Sequence, residues 1–118
     1  MLATDHAVRQ FLLAYIPNFF NKFSYRNRGL VYWTLGDNQN AIADFYCARK
    51  YFPNDADMNG LLGLSLLTLG RMDEAIAAYT RSIELCPFIV EGYTSRGNVY
   101  AAMGDYERAR FVDIFAQG

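Results

Sequence analysis

Few residues of this chain are of the types that perform covalent or metal chemistry, and their spacing does not group them. His6 is the only histidine among 118 residues, and the two cysteines, Cys47 and Cys86, lie far apart in the sequence. A nucleophile needs a base beside it, and a zinc site needs several Cys or His ligands at short spacing. Neither pattern occurs, so we expect no catalytic site, no metal site and no cofactor.

Carboxylates and glycines offer two further kinds of chemistry, and both have structural explanations here. Asp73 and Glu74 are adjacent, but they precede a helix-forming apolar run, and acidic residues in a first helical turn favour the helix dipole. The nine glycines stand singly inside helical periods rather than in a phosphate-binding loop. The sequence therefore predicts a protein that is not an enzyme.

Composition and charge exclude several further classes of protein. The chain is 53% hydrophobic and 16% aromatic, with a formal net charge of −1, which is typical of one folded domain and unlike a disordered chain. Nucleic-acid binding usually needs a concentrated basic surface, so we expect none. No apolar run approaches the roughly 18–20 residues that span a bilayer, and no secretory signal is apparent. These features predict a reduced, intracellular protein in the cytoplasm.

An internal repeat with one constant period organises the sequence. Three glycines recur at this period, a second set of three glycines follows later in each repeat, and alanine and proline positions keep the same register. These recurring positions are Gly29, Gly63 and Gly97; Gly36, Gly70 and Gly104; Ala41, Ala75 and Ala109; and Pro53 and Pro87.

The repeat resembles that of the tetratricopeptide family. That family combines an aromatic, a Leu-Gly pair, a second aromatic, an Ala-x3-Phe and a closing Pro in a repeat of the same length. The corresponding residues are Tyr25, Gly29, Tyr32, Ala41, Phe45 and Pro53; then Leu62, Gly63, Leu66, Ala75, Tyr79 and Pro87; then Tyr93, Gly97, Tyr100 and Ala109. Departures are Arg28 and Arg96 for Leu, and Asn59 and Asp113 for aromatics. The resemblance implies an all-α fold, a right-handed α-solenoid of helix-turn-helix hairpins.

Each repeated residue class has a mechanical reason. The glycines of the first set lie inside the first helix of each hairpin, and we expect the small Ala41, Ala75 and Ala109 of the second helix to be their close neighbours. The glycines of the second set end the first helix in a left-handed conformation. Asp37 and Asp105 follow as caps of the second helix. The prolines then prevent its continuation.

The repeats divide the chain into one predicted tetratricopeptide domain covering residues 1–118. A lone helix at 4–16 precedes repeats at 22–55, 56–89 and 90–118, the last with a truncated second helix. The lone helix is either the remnant of a longer repeat protein or an N-terminal cap. At the other end, Phe111, Ile114 and Phe115 are apolar on shifted faces and suit either inward packing or self-association. A self-associating structural piece of a larger assembly is therefore the alternative function.

The resemblance implies that the first helices line a concave groove that binds a protein or peptide partner. Carried onto this chain, the groove residues are Arg26, Leu30, Trp33, Leu61, Leu64, Leu67 and Asn98. An apolar groove of this kind suits an amphipathic helix or an extended segment, so we expect a scaffold or interaction module.

One binding mode of the family is not expected. Some members hold a chaperone's terminal carboxylate with Lys, Asn, Asn, Lys and Arg. The corresponding positions here are Arg26, Leu30, Leu61, Glu91 and Ser95. Only the first of these has suitable chemistry, and a glutamate would repel a carboxylate. The sequence therefore predicts that the chain is not a carboxylate-clamp co-chaperone.

Overall fold

A computed structural model describes residues 21–110 of the chain, and the regular structure in this range is helical. Five complete helices lie within it, and residues 106–110 begin a further one. They are α1 (Ser24–Thr34), α2 (Asn38–Tyr51), α3 (Ala56–Thr68), α4 (Met72–Leu85) and α5 (Val90–Ala102). The lone helix predicted at 4–16 and the apolar residues Phe111, Ile114 and Phe115 lie outside the described residues, so these expectations stay predictions.

The chain divides between Pro53 and Asn54 into two compact units. In the first unit, α1 and α2 pack together as a helical hairpin. In the second unit, α3 and α4 form an equivalent hairpin, and α5 packs against α4. The division falls close to the predicted boundary between the repeats 22–55 and 56–89.

The turns inside the hairpins follow the sequence prediction. Gly36, Gly70 and Gly104 have φ angles of 79°, 76° and 82°, which is the left-handed region that closes a helix. The Asp37 side chain then accepts a hydrogen bond from the backbone N–H of Asn40, as a helix cap does. Asp105 accepts from the N–H of Arg108 in the same way. Both predicted features, the left-handed glycines and the aspartate caps, are confirmed.

The helix glycines are explained by different neighbours from those that the sequence suggested. A Cβ atom added at Gly29 would lie 2.8 Å from a ring carbon of Phe45, and one added at Gly63 would lie 2.9 Å from ring carbons of Tyr79. The prediction that Ala41 and Ala75 are the close neighbours is therefore wrong. The second helix presses an aromatic ring against the glycine, and Ala41 and Ala75 are fully buried.

The core of the first unit contains an ion pair. Arg28 on α1 makes two hydrogen bonds to the Asp44 carboxylate on α2, from Nε at 2.7 Å and from Nη2 at 2.8 Å. The Asp44 side chain is only 6% exposed. The hydrogen bond to Asp44 raises the pKa of Arg28 although partial burial opposes it, so the arginine keeps its charge. In the second repeat the same two positions hold Leu62 and Ala78, both buried.

Candidate functional site

The second unit contains an open groove with a volume of about 420 Å³. It lies at the end of the unit where α3 begins, α4 ends and α5 begins. The lining residues are Ala56, Asp57, Gly60, Leu61 and Leu64 of α3; Tyr79, Ser82, Ile83 and Cys86 at the end of α4; and Ile89, Glu91, Gly92 and Ser95 at the start of α5.

Helix α4 supplies the bottom of this groove, and α3 and α5 supply its sides. Because α4 packs against both neighbours, its side chains fill the space between them. Tyr79 and Ile83 on α4 are buried, whereas Leu64 on α3 and Ile89 before α5 are 40% and 45% exposed. The groove therefore combines a packed apolar base with apolar side chains that water still contacts.

The two glycines of the groove that face α4 have different amounts of free space around them. A Cβ atom at Gly92 would lie 2.9 Å from the Ile83 side chain, so α5 contacts α4 with no room for a larger residue. A Cβ atom at Gly60 would meet only Ser82 Oγ, at 3.8 Å. The Ser82 hydroxyl donates a 3.0 Å hydrogen bond to the carbonyl of Ala56. These contacts place the α4 side chains directly beneath the groove.

Tyr79 joins α3, α4 and α5. Its ring packs against Gly63 of α3, and its side chain hydrogen-bonds to Ser95 of α5. Burial raises the pKa of the Tyr79 phenol above its ordinary value, and the hydrogen bond with Ser95 opposes this only in part. The phenol thus stays neutral at physiological pH and serves as a hydrogen-bonding and packing group rather than as an acid or base.

The charged residues that line the groove are both acidic. Asp57 lies in the first turn of α3 and Glu91 in the first turn of α5, at the same position of two consecutive repeats. Both are exposed. Within residues 21–110 neither carboxylate forms an ion pair. The sides of the groove therefore carry negative charge above an apolar base.

An exposed apolar segment continues from the groove. Phe88 and Ile89 lie in the connection from α4 to α5, and Val90 is the first residue of α5; the three residues are 96%, 45% and 53% exposed. Ile89 also lines the groove, so the segment extends its apolar surface. Three consecutive large apolar residues in water mark a candidate contact surface, unlike single exposed apolar residues, which are common.

Two of the seven predicted groove residues line the groove that the structure shows. Leu61 and Leu64 line the groove, whereas Leu67 and Asn98 lie about one helical turn beyond its end and do not line it. The three remaining predicted residues, Arg26, Leu30 and Trp33, lie on α1 of the first unit and are partly buried there.

Sequence reasoning missed the base of the groove. The family resemblance assigned the groove to the first helices, whereas the base consists of Tyr79, Ser82 and Ile83 in the second helix of a hairpin and Cys86 at its C-terminal cap. Their helical spacing puts them on one face of α4, and this periodicity was the available signal.

Chemically reactive clusters are not found in the part of the chain that the structure describes. Between residues 21 and 110, no three His, Cys, Asp or Glu side chains come together as metal ligands would. Cys47 and Cys86 are both free thiols and half-buried. In the same range, no helix combines the length and apolar character needed to cross a membrane.

Comparison of structures gives matches over most of the chain. MamA protein has a TM-score of 0.78 and 27% identity, over 81% of this chain and 52% of that chain. The TPR2B-domain:pHsp70 complex of yeast Sti1 has a TM-score of 0.74 and 27% identity, over 80% of this chain and 76% of that one. These likenesses confirm the predicted fold class, an all-α solenoid of helical hairpins.

Comparison of sequences gives the family. The peroxisomal targeting signal receptor of Saccharomyces cerevisiae is 40% identical over 62 residues, which is 52% of this chain and 10% of the receptor. Superkiller complex protein 3 of Homo sapiens is 27% identical over 88 residues, which is 75% of this chain and 6% of that protein. The chain thus spans a tenth or less of the length of these two relatives. Residues 26–88 match a family model described as tetratricopeptide repeat, and residues 78–111 match a second model with this description. The chain belongs to the tetratricopeptide repeat family.

Proposed function

We propose that this chain is a non-catalytic protein-interaction module that binds an apolar helix or extended peptide in the groove between α3 and α5. The observation that carries the proposal is the groove itself, in which Leu64 and Ile89 remain exposed above the buried Tyr79 and Ile83. A partner side chain placed there would remove apolar surface from water on both sides. Burying one Leu contributes roughly 1.5–3 kcal/mol, so a few such contacts support micromolar binding after the entropic costs of association.

The family supports the same class of function. The matches to tetratricopeptide repeat models support a role for this chain as a protein–protein interaction module. One similar structure is described as a complex with pHsp70, and one similar sequence is described as a receptor for a targeting signal. Both descriptions concern recognition of another protein or peptide, which is the activity that we propose for this groove.

The groove does not suit a terminal carboxylate. Leu61, Glu91 and Ser95 stand at three of the positions where carboxylate-binding relatives place Asn, Lys and Arg, and all three line the groove. Glu91 would repel an acidic ligand, and Leu61 has no hydrogen-bond donor on its side chain. We therefore propose that the partner is held through apolar side chains rather than through its chain end.

Leu64→Glu is expected to weaken peptide binding by at least about tenfold. The substitution removes the most exposed α3 leucine of the groove and places a charge against its apolar base. Peptides would be selected on the wild-type protein from a displayed random library, synthesised, and titrated by fluorescence anisotropy against the wild type and the variant.

Leu69→Glu is the matched control for this measurement. Leu69 is the C-terminal cap of the same helix and is 45% exposed, close to the value for Leu64, but it does not line the groove. We expect it to bind the selected peptides as the wild type does, with both variants keeping wild-type circular dichroism. Equal binding by Leu64→Glu and the wild type would show that the groove is not the binding site.

A further inference from the structure

The acidic residues of the groove suggest the charge of its partner. Asp57 and Glu91 are second residues of α3 and α5, and they are the charged members of the lining. The surrounding segments add to their charge. Residues 54–61 and 81–96 together contain four carboxylates and two arginines. Arg81 is already engaged by Glu84 at 3.3 Å and by the Asn54 side chain at 3.1 Å, and Arg96 donates a 3.1 Å hydrogen bond to the Thr80 hydroxyl.

The helix dipoles at this end of the unit do not reverse the negative charge of the groove. Each helix N-terminus carries roughly half a positive charge, which by itself favours anions. At α3 this is offset by Asp55, whose side chain accepts from the N–H of Met58, and by Asp57. At α5 a full negative charge on Glu91 exceeds the partial charge of the helix. The acidic side chains therefore outweigh the helix dipoles at the groove.

We propose that the groove selects a partner segment in which Lys or Arg accompanies the apolar residues. The inference rests on the proposed function and names the chemistry of its ligand. Apolar side chains contact Leu64, Ile83 and Ile89, while the basic groups reach the exposed carboxylates of Asp57 and Glu91 on the two sides. A neutral apolar segment lacks the charge contacts, and an acidic segment is repelled.

We expect the basic residues of a partner to raise its affinity modestly and to give a clear preference over acidic segments. An exposed ion pair strengthens binding by roughly 1.4- to fivefold, so two such pairs together give about two- to 25-fold over an uncharged segment. Replacing the basic residues by acidic ones turns attraction into repulsion at both sides. The preference should also decline with added salt, because exposed charges are screened.

The test compares peptide selections on three proteins. A displayed random peptide library is selected on the wild type, with the Leu64→Glu variant used to remove peptides that bind outside the groove. The same library is selected on Asp57→Lys/Glu91→Lys. The control is Asp73→Lys/Glu107→Lys, which changes the net charge equally. Asp73 and Glu107 are likewise exposed second residues of helices, one repeat apart, and they lie outside the groove.

Each outcome is decisive. We expect peptides rich in Lys or Arg from the wild type and from the control, and peptides rich in Asp or Glu from Asp57→Lys/Glu91→Lys. Peptides of the same charge from all three proteins, or acidic peptides from the wild type, would overturn the inference and leave the proposed function standing. If no selected peptide distinguishes the wild type from Leu64→Glu, the proposed function itself fails. Thermal unfolding of the three proteins verifies that each is folded.

Discussion

Arg28→Leu is expected to lower the free energy of unfolding by about 3 kcal/mol, the lower end of the range for a broken buried ion pair. The substitution leaves the Asp44 carboxylate, 6% exposed, without the two hydrogen bonds that it accepts from the guanidinium. The cost lies at the lower end because the Arg28 side chain is itself 28% exposed, so water can reach the site. Urea denaturation followed by circular dichroism measures the change.

The double variant Arg28→Leu/Asp44→Ala is expected to recover most of this loss. It introduces the residue types that the second repeat has at the same positions, Leu62 and Ala78. Both are buried, and the helices that carry them, α3 and α4, pack together. Replacing both partners of a buried pair by apolar residues is often neutral or stabilising. We therefore expect stability within about 1 kcal/mol of the wild type. A double variant as unstable as Arg28→Leu would show that the unpaired Asp44 carboxylate is not the source of the loss.

Gly63→Ala and Gly60→Ala are expected to change stability in opposite directions, although both lie in α3. Alanine favours a helix over glycine by about 1 kcal/mol. At Gly63 the added Cβ would lie 2.9 Å from three ring carbons of Tyr79, whose hydroxyl is held by Ser95. Overpacking costs roughly 1–3 kcal/mol, so after the gain in helix propensity we expect a net loss of up to about 2 kcal/mol. At Gly60 the nearest atom is 3.8 Å away, so a gain of about 0.5–1 kcal/mol is expected.

The same denaturation series measures both variants, with Gly60→Ala as the matched control. A further check is the NMR chemical shifts of the Tyr79 ring, assigned among the nine tyrosines of the chain, which report whether the ring moves to accommodate the new methyl group. Stabilisation by Gly63→Ala would mean that the ring yields easily and that the glycine is not required for packing against α4.

Much of the fold follows from local chemistry that the sequence displays. Gly36 followed by the capping Asp37 predicts the end of one helix and the start of the next, and Gly104 and Asp105 repeat this pattern, whereas Gly70 is followed by Arg71, which makes no side-chain cap. The partner of Gly29 was harder to predict. The sequence shows that something approaches closely, but whether a small alanine or the ring of Phe45 does so depends on how α2 is rotated about its axis. Periodicity does not specify that rotation.

The residues of the groove could likewise be predicted only in part from the sequence. The recurring first-helix positions led to Leu61 and Leu64, because inner faces repeat with the helical period. Ile83 and Cys86 were not predicted, because their entry into the groove depends on the gap between α3 and α5 rather than on the repeat itself. Where the groove ends, and therefore whether Leu67 lies in it, is likewise a matter of spacing between helices.

The glycines of this chain obey two unrelated constraints. At Gly36, Gly70 and Gly104 a Cβ atom would meet nothing within 4 Å, yet the backbone there has a handedness that ordinary side chains resist. At Gly63 the backbone is an ordinary helix, and only volume is lacking. A D-alanine introduced by chemical synthesis would therefore be favoured by the backbone at the three turns and disfavoured by the right-handed helical backbone at Gly63. The two kinds of glycine thus respond in opposite ways to the chirality of the residue that replaces them.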